Sequence, residues 1–582
     1  MSKHTEECSF ASTPYDTKIS SMLYRNLSII ILLCFFARTP LSAQFIKTAQ
    51  LQAPKHELRA AWVATVLNID YPQKPSTNPI ALKEQYKNML DQLQSLGLNT
   101  VILQVRPAAD AFYPSEFAPW SAYLTGRQGL EPLNDFDPLK FMIEETHRRA
   151  MEFHAWINPF RASMNLDTAK LALSHPVFRH PDWLVAYGNK MYFNPGIPAV
   201  RDHLVDVVGE LVDNYDMDGI HIDDYFYPYP IANTPFPDSA TYKFYGQPYK
   251  DINSWRRSNT DKLVQNIYER IKSSNPRVQF GVSPFGVWRN KSEEAPRGSN
   301  TRAGVTSYDD LHADVLNWIN KGWIDYVMPQ IYWNVGFEPA DYQTLVQWWS
   351  RNIRDAQLYI GHAAYKVGNN SVKEWHDAGE IPKQISLNRR NFETNGSAFF
   401  STKSLLNNPL RLKDSLRYYY QYKALWPEKT DLELPKGKPV KMKKPRWRKD
   451  ALRLRWISNP EDRKSRSAPL YYVVYRFEGS GLGDMENPKN IITITEFGNN
   501  NKIHEFYDKK AKIGESYTYV VTAVNKAHIE SPPSEGKGVI RKNEHRVKAL
   551  RKKKQARVRT SVRRTKKTRK TRVRTRRNQY KL

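Results

Sequence analysis

The chain has 582 residues, which excludes a single ordinary domain, and its 40% hydrophobic and 12% aromatic content supports a large core. The net charge of +29 is concentrated at one end, because residues 542–582 hold twenty Lys or Arg side chains and one acid, Glu544. The charge therefore describes a C-terminal tail and says little about the folded part of the chain.

The N-terminal segment has the pattern of a bacterial signal peptide. Arg25 precedes an apolar run at residues 27–37, and small residues follow at 41–43 with the spacing of a cleavage site. The run is too short to span a bilayer, so an uncleaved anchor is the less favoured alternative. Both cysteines, Cys8 and Cys34, precede the expected cleavage. We therefore expect a secreted or periplasmic protein of the cell envelope that gains no disulfide on export and keeps no transmembrane span.

The central part of the chain alternates between two kinds of periodicity. Apolar β-type runs are separated by amphipathic helical stretches, for example residues 82–96 and 255–273. This alternation predicts an α/β fold, specifically a (β/α)8 barrel of TIM type with long loops. A doubly wound open sheet is the alternative, but no Gly-rich phosphate loop follows the first strand. The eight predicted strands are 59–66, 100–105, 152–157, 219–223, 279–284, 326–331, 357–361 and 396–400.

The C-terminal part changes character after a Pro- and Lys-rich stretch. Short alternating runs, such as residues 452–456 and 471–477, predict a small all-β sandwich. The run at 516–525, followed by Ser531-Pro532-Pro533, resembles the last strands of a fibronectin type III module. The final segment lacks apolar periodicity and is predicted to be disordered. The predicted organisation is a signal region at 1–43, a barrel at 54–427, a linker at 428–445, a sandwich at 446–541 and a basic tail at 542–582.

The most informative stretch is residues 218–227, with the sequence DGIHIDDYFY. It begins as a buried strand and ends in two adjacent carboxylates, Asp223 and Asp224, beside three aromatic residues. Charged groups at the end of an apolar strand are costly to bury, and barrels keep their chemistry at the carboxyl ends of their strands. Carboxylates surrounded by aromatic rings suit carbohydrate chemistry, because acids transfer protons or attack and rings stack on sugars.

Nine short motifs follow one another in the barrel region: 57–65 (ELRAAWVAT), 104–111 (QVRPAADA), 119–121 (PWS), 124–126 (LTG), 154–161 (HAWINPFR), 218–228 (DGIHIDDYFYP), 281–286 (GVSPFG), 307–309 (SYD) and 328–333 (MPQIYW). In these motifs the barrel region resembles the glycosyl-hydrolase-like 10 family, the former domain of unknown function 187. The resemblance implies an exported bacterial glycoside hydrolase of barrel fold, and some members are associated with the cleavage of cell-wall glycan strands. Residues 218–225 also resemble a degraded chitinase-type DGxDxDxE strand, in which His221 replaces the first inner Asp and Tyr225 replaces the acid Glu.

Three carboxylates are candidate catalytic residues. Asp223 is predicted to point into the barrel with His221, and Asp224 lies past the strand end, so one of the two is expected to face the anomeric carbon. The alternative for the pair is a structural carboxylate held by backbone amides or by Arg106. Asp110 follows the second strand and is either the general acid or only the partner of Arg106, whose guanidinium can grip a carboxylate with two hydrogen bonds.

Several side chains near the predicted strand ends are candidate substrate ligands. Asn158 can bind a sugar hydroxyl or an N-acetyl group, or it braces its loop, and His221 is either a ligand or a core hydrogen-bonding group. Trp333 is a stacking platform or a core residue. Gln330 and Tyr332 can orient an acetamido group or a water. The expected substrate-binding set is Arg106, Asn158, Arg161, His221, Tyr225, Gln330, Tyr332 and Trp333.

No cofactor is expected. His154, His221 and the Asp pair lack the compact spacing of a metal site, and no nucleophile elbow, P-loop or dinucleotide motif is present. The sequence thus predicts a glycosidase acting on a polysaccharide, with an N-acetylated peptidoglycan glycan as the substrate that the family resemblance implies. The basic tail is either a solvated extension or a segment that binds an anionic envelope polymer. Nucleic acid is a disfavoured partner of an exported chain. The alternatives are a non-catalytic carbohydrate-binding barrel and an envelope-attachment protein.

Overall fold

The computed structural model describes residues 53–429, 432–448, 450–461, 465, 467–499, 501–542 and 547–549. The predicted signal peptide, both cysteines and most of the basic tail lie outside the described residues. The strands of the first unit are β1 (Leu58–Val63), β2 (Thr100–Arg106), β3 (Glu152–Ile157), β4 (Leu184–Tyr187), β5 (Lys190–Phe193), β6 (Gly219–Ile222), β7 (Gln279–Val282), β8 (Tyr326–Val327), β9 (Gln357–His362) and β10 (Thr394–Phe399).

Eight of these strands form a closed parallel barrel in the order β1-β10-β9-β8-β7-β6-β3-β2, while β4 and β5 pair with each other outside it. The predicted TIM-type barrel is therefore confirmed. The helices of this unit are α1 (Pro79–Ser95), α2 (Ala122–Thr125), α3 (Pro138–Arg148), α4 (Pro176–Arg179), α5 (Pro198–Asn214), α6 (Ser239–Tyr245), α7 (Ile252–Ser274), α8 (Val315–Lys321), α9 (Tyr342–Asn352), α10 (Glu380–Arg390), α11 (Thr402–Leu406) and α12 (Leu412–Tyr419).

Alternating side chains divide the barrel strands between two apolar layers. In β1, Leu58 and Trp62 belong to the cluster inside the barrel, whereas Ala61 and Val63 pack in the layer beneath the helices. Successive side chains of a strand point to opposite faces, which is why a fully apolar strand can serve both layers. The barrel interior is thus packed, and open space for a ligand lies at the strand ends.

The C-terminal unit consists of two antiparallel sheets. One has the order β11-β13-β12 with β16 also paired to β13, and the other has the order β15-β14-β17-β18-β19. Their shared core includes Leu454, Trp456, Val474 and Val521. The strands are β11 (Lys441–Met442), β12 (Arg446–Arg448), β13 (Ala451–Ile457), β14 (Pro469–Glu478), β15 (Ile491–Ile494), β16 (Ile503–Asp508), β17 (Ser516–Asn525), β18 (Lys537–Arg541) and β19 (Val547–Ala549).

The all-β prediction is confirmed, while the likeness to a fibronectin type III module stays a prediction. Two short strands lie where the sequence predicted none, since β11 falls within the expected linker and β19 within the expected disordered tail. Both are completed by backbone hydrogen bonds to a neighbouring strand, a requirement of sheet formation that side-chain periodicity does not report. In the barrel, β8 is shorter than predicted, since Pro329 has no N–H to donate to the ladder. The backbone nevertheless continues along the barrel, because Met328 donates to the carbonyl of Val282 at 2.8 Å and Gln330 bridges to Phe285 and Gly361.

The sandwich packs against the barrel at the amino-terminal ends of its strands. Lys55, just before β1, forms an ion pair of 2.8 Å with Glu530 of the sandwich. Trp426 donates from Nε1 to Thr100, the first residue of β2, and its ring stacks on His528 at a centroid distance of 5.6 Å. The opposite end of the barrel, at the carboxyl ends of the strands, is therefore bordered by the long βα loops.

Candidate active site

The two adjacent carboxylates lie immediately after β6, at the carboxyl end of the barrel. Asp223 and Asp224 are 4% and 5% exposed, so both are nearly but not completely closed off from solvent. The preceding Ile222 is in register with Ile157 of β3 and Val282 of β7. The pair therefore sits level with the residues that follow those two strands, Asn158 and Ser283.

Asp223 is held from the β3 side. The side-chain Nδ2 of Asn158 donates to its Oδ2 at 2.5 Å, and the backbone N–H of Tyr225 donates to its Oδ1 at 3.2 Å. Burial and the neighbouring Asp224 carboxylate raise the pKa of Asp223 to about 7, although the Arg161 cation and these hydrogen bonds oppose the shift. Asp223 can therefore keep a proton near neutral pH.

Asp224 is held from the opposite side. The hydroxyl of Tyr229 donates to its Oδ2, and the side chain of Gln330, beyond β8, also hydrogen-bonds to it. Burial raises the pKa of Asp224 as well, against these donors. Because burial disfavours charge on both carboxyls and the Asp224 charge further raises the pKa of Asp223, the two do not easily ionise together. One member can donate a proton while the other carries negative charge.

Asn158 is fixed by a group of donors beneath the pair. Its Oδ1 accepts from Nη2 of Arg161 at 2.5 Å and from the side chain of Gln104. The same Arg161 donates from Nε to the carbonyl of Pro107 at 3.0 Å, and its guanidinium lies 4.9 Å from the ring centre of Tyr225. The Asn158 amide is thus oriented with its N–H groups toward Asp223, which positions that carboxyl in the mouth of the barrel.

Arg106 lies behind the site rather than in the cleft. Its side chain is fully buried, and Nη1 donates to the backbone carbonyls of Asn158 at 2.9 Å and Pro159 at 3.4 Å. Among the described residues, its Nε and Nη2 atoms are buried without a hydrogen-bond partner. The expectation that Arg106 binds substrate or a carboxylate stays a prediction. Arg106 supports the loop that carries Asn158.

Asp110 is buried within its own loop. Its Oδ1 accepts from the backbone N–H of Ala108 at 3.1 Å, and Ser121 also hydrogen-bonds to the carboxyl. Burial raises the pKa of Asp110 to about 6, with the Arg106 cation lowering it only in part. Among the described residues Asp110 has no ion pair, so its expected role as the bonded partner of Arg106 is not seen.

His221 belongs to the floor of the site. It is fully buried, and burial holds its pKa well below the usual range, so the ring is neutral. Trp62 Nε1 can only donate, and it lies 3.2 Å from His221 Nε2, which fixes that nitrogen as the acceptor. Ser283 donates to the same nitrogen at 2.8 Å. The hydrogen bonds of His221 lie inside the barrel, in line with the core role that the sequence offered as the alternative, and its role as a substrate ligand stays a prediction.

A directed chain of hydrogen bonds continues from His221 down the barrel axis. Its Nδ1 donates to the hydroxyl of Tyr326 at 3.0 Å, and Tyr326 donates to Nδ1 of His154 at 2.8 Å. His154 then faces the carboxylate of Glu152 at 3.3 Å from its Nε2. Each donor in this chain points toward Glu152, so the floor of the site has one fixed hydrogen-bonding pattern.

The rim beyond β8 contains the remaining predicted ligands. Gln330 donates from Nε2 to the backbone carbonyl of Ser283 at 2.9 Å, which orients its amide beside Asp224. Tyr332 is partly exposed and stacks on Phe400 at a centroid distance of 6.4 Å. Trp333 is partly exposed and meets Phe285 edge to face at 5.4 Å. Aromatic surface therefore lines one side of the carboxylate pair.

Comparison with known proteins identifies the family. The model of the family Glycosyl hydrolase-like 10 matches residues 57–377. Glycosyl hydrolase YngK of Bacillus subtilis (strain 168) is 46% identical over 502 residues, covering 85% of this chain and 95% of that protein. Glycosyl hydrolase DigH of Escherichia coli (strain K12) is 37% identical over 412 residues, covering 66% of this chain and 92% of that protein. The chain belongs to the Glycosyl hydrolase-like 10 family.

Membership in this family makes the chain a glycoside hydrolase, as the sequence predicted. Among solved structures, the PgaB (BpsB) glycoside hydrolase domain from Bordetella bronchiseptica has a TM-score of 0.40 at 12% identity. That alignment covers 62% of this chain and 99% of the domain.

Two parts of the glycosidase site escaped sequence reasoning. Tyr229 lies one residue beyond the recognised motif, and the signal for it was the Tyr-rich run at residues 225–229. Gln104 and Ser283 lie inside family motifs, but their polar side chains were not singled out. Among the described residues, no group of three or more His, Cys, Asp or Glu side chains could hold a metal ion. No helix in the described part of the chain is long and apolar enough to cross a membrane.

Proposed function

We propose that this glycoside hydrolase is exported and cleaves the N-acetylated glycan strands of bacterial peptidoglycan. The observation that supports this chemistry is the pair Asp223 and Asp224, two nearly buried carboxyls at the mouth of the barrel whose pKa values are both raised. Glycosidic cleavage needs an acid for the leaving oxygen and a negative group for the developing positive charge at the sugar ring. The pair contains both at neutral pH.

The hydrogen-bond donors around Asp223 and Asp224 favour different roles for the two carboxyls. Asp223 and Asp224 follow one another along the chain and are held toward opposite sides, by Asn158 and by Tyr229. We infer that one carboxyl protonates the leaving oxygen. The other orients the substrate acetamido group, whose oxygen attacks the anomeric carbon while the bond to the leaving group breaks. The leaving oxygen takes the proton and departs as a neutral hydroxyl, while the carboxylate that orients the acetamido group offsets the positive charge of the oxazolinium ring. Water, deprotonated by the first carboxyl, then attacks the anomeric carbon and reopens the ring, which restores the acetamido group.

The rim supports an N-acetylated substrate. An acetamido group needs a donor, an acceptor and an apolar contact for its methyl group. Gln330 offers an amide beside Asp224, and Tyr332 and Trp333 offer partly exposed rings next to it. Aromatic rings also stack on the apolar faces of sugars, which suits a chain of several sugar units. Arg161, with its guanidinium over Tyr225, limits the opposite side of the cleft.

The test compares Asp223→Asn and Asp224→Asn with the wild-type protein on glycan strands prepared from peptidoglycan. New reducing ends are measured, with mannan as a polymer that lacks N-acetyl groups. At least one variant should lose several orders of magnitude in rate, each order corresponding to about 1.4 kcal/mol of barrier. The matched control is Asp310→Asn, because Asp310 only accepts hydrogen bonds from Thr306 in a neighbouring loop.

An aryl glycoside of N-acetylglucosamine separates the two roles. A good leaving group needs little protonation, so it should restore the rate of the variant that lost the general acid and not that of the other variant. Wild-type turnover in both Asn variants would refute the site. Equal cleavage of mannan and glycan strands would refute the substrate class alone. Export is tested separately, since the mature protein should begin after Ala43.

A further inference from the structure

The sheet formed by β11, β12, β13 and β16 has one face in the sandwich core and one face outside it. Along β13, Leu452, Leu454 and Trp456 are buried in the core. Arg453 and Arg455 alternate with them and are partly exposed. Because successive side chains point to opposite faces, both arginines lie on the outer face, about 7 Å apart.

The strand register adds two more arginines to that outer face. Arg446 of β12 lies directly opposite Arg453, and Arg448, two residues further along β12, shares its side of the sheet. We call Arg446, Arg448, Arg453 and Arg455 the arginine face. On the other side of β13, Tyr507 of β16 lies opposite Arg453. The arginine face is therefore a contiguous surface with a tyrosine at its edge.

This arrangement is unfavourable for the protein alone. Like charges directly opposite one another in an antiparallel sheet are destabilising, and Arg446 faces Arg453. None of the four guanidinium groups forms an ion pair with a described carboxylate. Glu505, opposite Arg455, instead accepts a hydrogen bond from Tyr507 at 3.2 Å. An external anion would relieve the repulsion that the sheet maintains.

We propose that the arginine face binds a carboxylate-bearing polysaccharide. A guanidinium matches a carboxylate with two parallel hydrogen bonds, and arginine makes this contact better than lysine. Tyr507 beside Arg453 provides a ring on which a sugar can stack. The partner is a glycan rather than another polyanion because the same chain carries a glycoside hydrolase barrel, so a polysaccharide held at both places would be bound with a raised effective concentration.

The test is affinity electrophoresis of the full chain in gels that contain polygalacturonate. The variant replaces three arginines of the face, as Arg446→Gln, Arg453→Gln and Arg455→Gln. The control replaces three exposed cations of barrel helices with the same change of charge, as Lys321→Gln, Arg351→Gln and Lys383→Gln. Dextran serves as the neutral polysaccharide and polyphosphate as the anion without sugars.

Polygalacturonate should retard the wild-type protein and the control, and the dissociation constant of the arginine-face variant should rise about tenfold. Dextran should have no effect, and salt should weaken retardation because exposed charges are screened over about 8 Å at physiological ionic strength. Equal loss in the control and the arginine-face variant would overturn the proposal by showing a general charge effect. Retardation by polyphosphate but not by polygalacturonate would overturn the assignment to a glycan.

A folding defect is distinguished by two further measurements. The arginine-face variant should unfold at the same urea concentration as the wild-type protein or at a higher one, because it loses a like-charge contact. Its hydrolysis of a small aryl glycoside should be unchanged, since the arginine face contributes no group to the barrel site. A variant that is stable and active yet binds polygalacturonate like the wild type would refute the proposal.

Discussion

His528 Nε2 donates a hydrogen bond of 2.8 Å to the carboxylate of Glu152, so a residue of the sandwich satisfies a buried acid at the base of the barrel. Lys429 lies 3.6 Å from the same carboxylate oxygen. Although burial would raise the pKa of Glu152, Lys429 and His528 hold it well below its usual range. The acid is therefore ionised, and it ends the hydrogen-bond chain that begins beneath the catalytic pair at His221.

The first prediction concerns His528→Ala in the full chain. Removing one partner of a buried ionised group leaves the charge poorly compensated, so the free energy of unfolding should fall by about 3 kcal/mol. The measurement is urea unfolding followed by far-ultraviolet circular dichroism. His376→Ala is the matched control, because His376 is exposed and bonds only to the carbonyl of Asn370. Equal effects of the two substitutions would show that the contact across the interface is unimportant.

The barrel itself could be predicted from the sequence because its physical signal is local. All eight predicted strands are present, and β3 has the predicted bounds. Period-two alternation also placed His221 inside the barrel, where its bond to Trp62 lies. The hairpin β4–β5 was missed although Gly188 and Asn189, between its strands, form a typical two-residue hairpin turn.

Contacts between distant residues account for what sequence reasoning missed. The carboxylate pair was predicted. Its hydrogen-bond donors, however, lie on loops that return to the site, and the periodicity of the sequence does not encode such a return. Tyr229 reaches Asp224 because the chain turns after β6, and the Arg106 guanidinium donates to a loop carbonyl, a contact that its position at the end of β2 does not reveal. The bond between Glu152 and His528 joins residues from two units of the fold.

The second prediction follows from the raised pKa of Asp223. Because that pKa is about 7 in the folded protein and about 3.8 in the unfolded chain, the folded state binds the proton more tightly. The carboxyl's contribution to stability is therefore greatest below pH 3.8 and is lost as pH rises through 7. Asp223→Asn removes this loss, so its stability relative to the wild type should grow between pH 5 and pH 8, by about 3 kcal/mol at most.

The measurement is urea unfolding of Asp223→Asn and the wild type at both pH values. Asp310→Asn controls for the loss of an acid elsewhere on the same end of the barrel. A variant that gains no stability at pH 8 relative to pH 5 would mean that the carboxyl is not held protonated. If Asp223 is the carboxyl whose replacement removes activity, the site exchanges stability for function.

The third prediction concerns the donor that sequence reasoning missed. Tyr229→Phe removes the hydroxyl that donates to Asp224 and stabilises its ionised form. The pKa values of the carboxylate pair should rise, and the acid limb of the rate against pH should move upward by about one unit. The control is Tyr187→Phe, whose hydroxyl bonds only to loop backbone at Ile231 and Thr234. Identical pH profiles for Tyr229→Phe and the wild type would exclude a role in tuning the pair.

The last prediction concerns the basic tail beyond β19. Residues 551–582 contain seventeen Lys or Arg side chains and no acid, and few apolar side chains accompany them. Because this segment is so densely positive, we expect it to act through its charge on an anionic polymer of the envelope. Deleting residues 551–582 leaves the described strands intact. It should therefore preserve hydrolysis of a small aryl glycoside while reducing retention on isolated cell envelopes, and high salt should release the full chain to the same extent.

Loss of hydrolysis on the small substrate would instead make the tail part of the catalytic unit, and salt-resistant retention of the full chain would exclude an electrostatic tether.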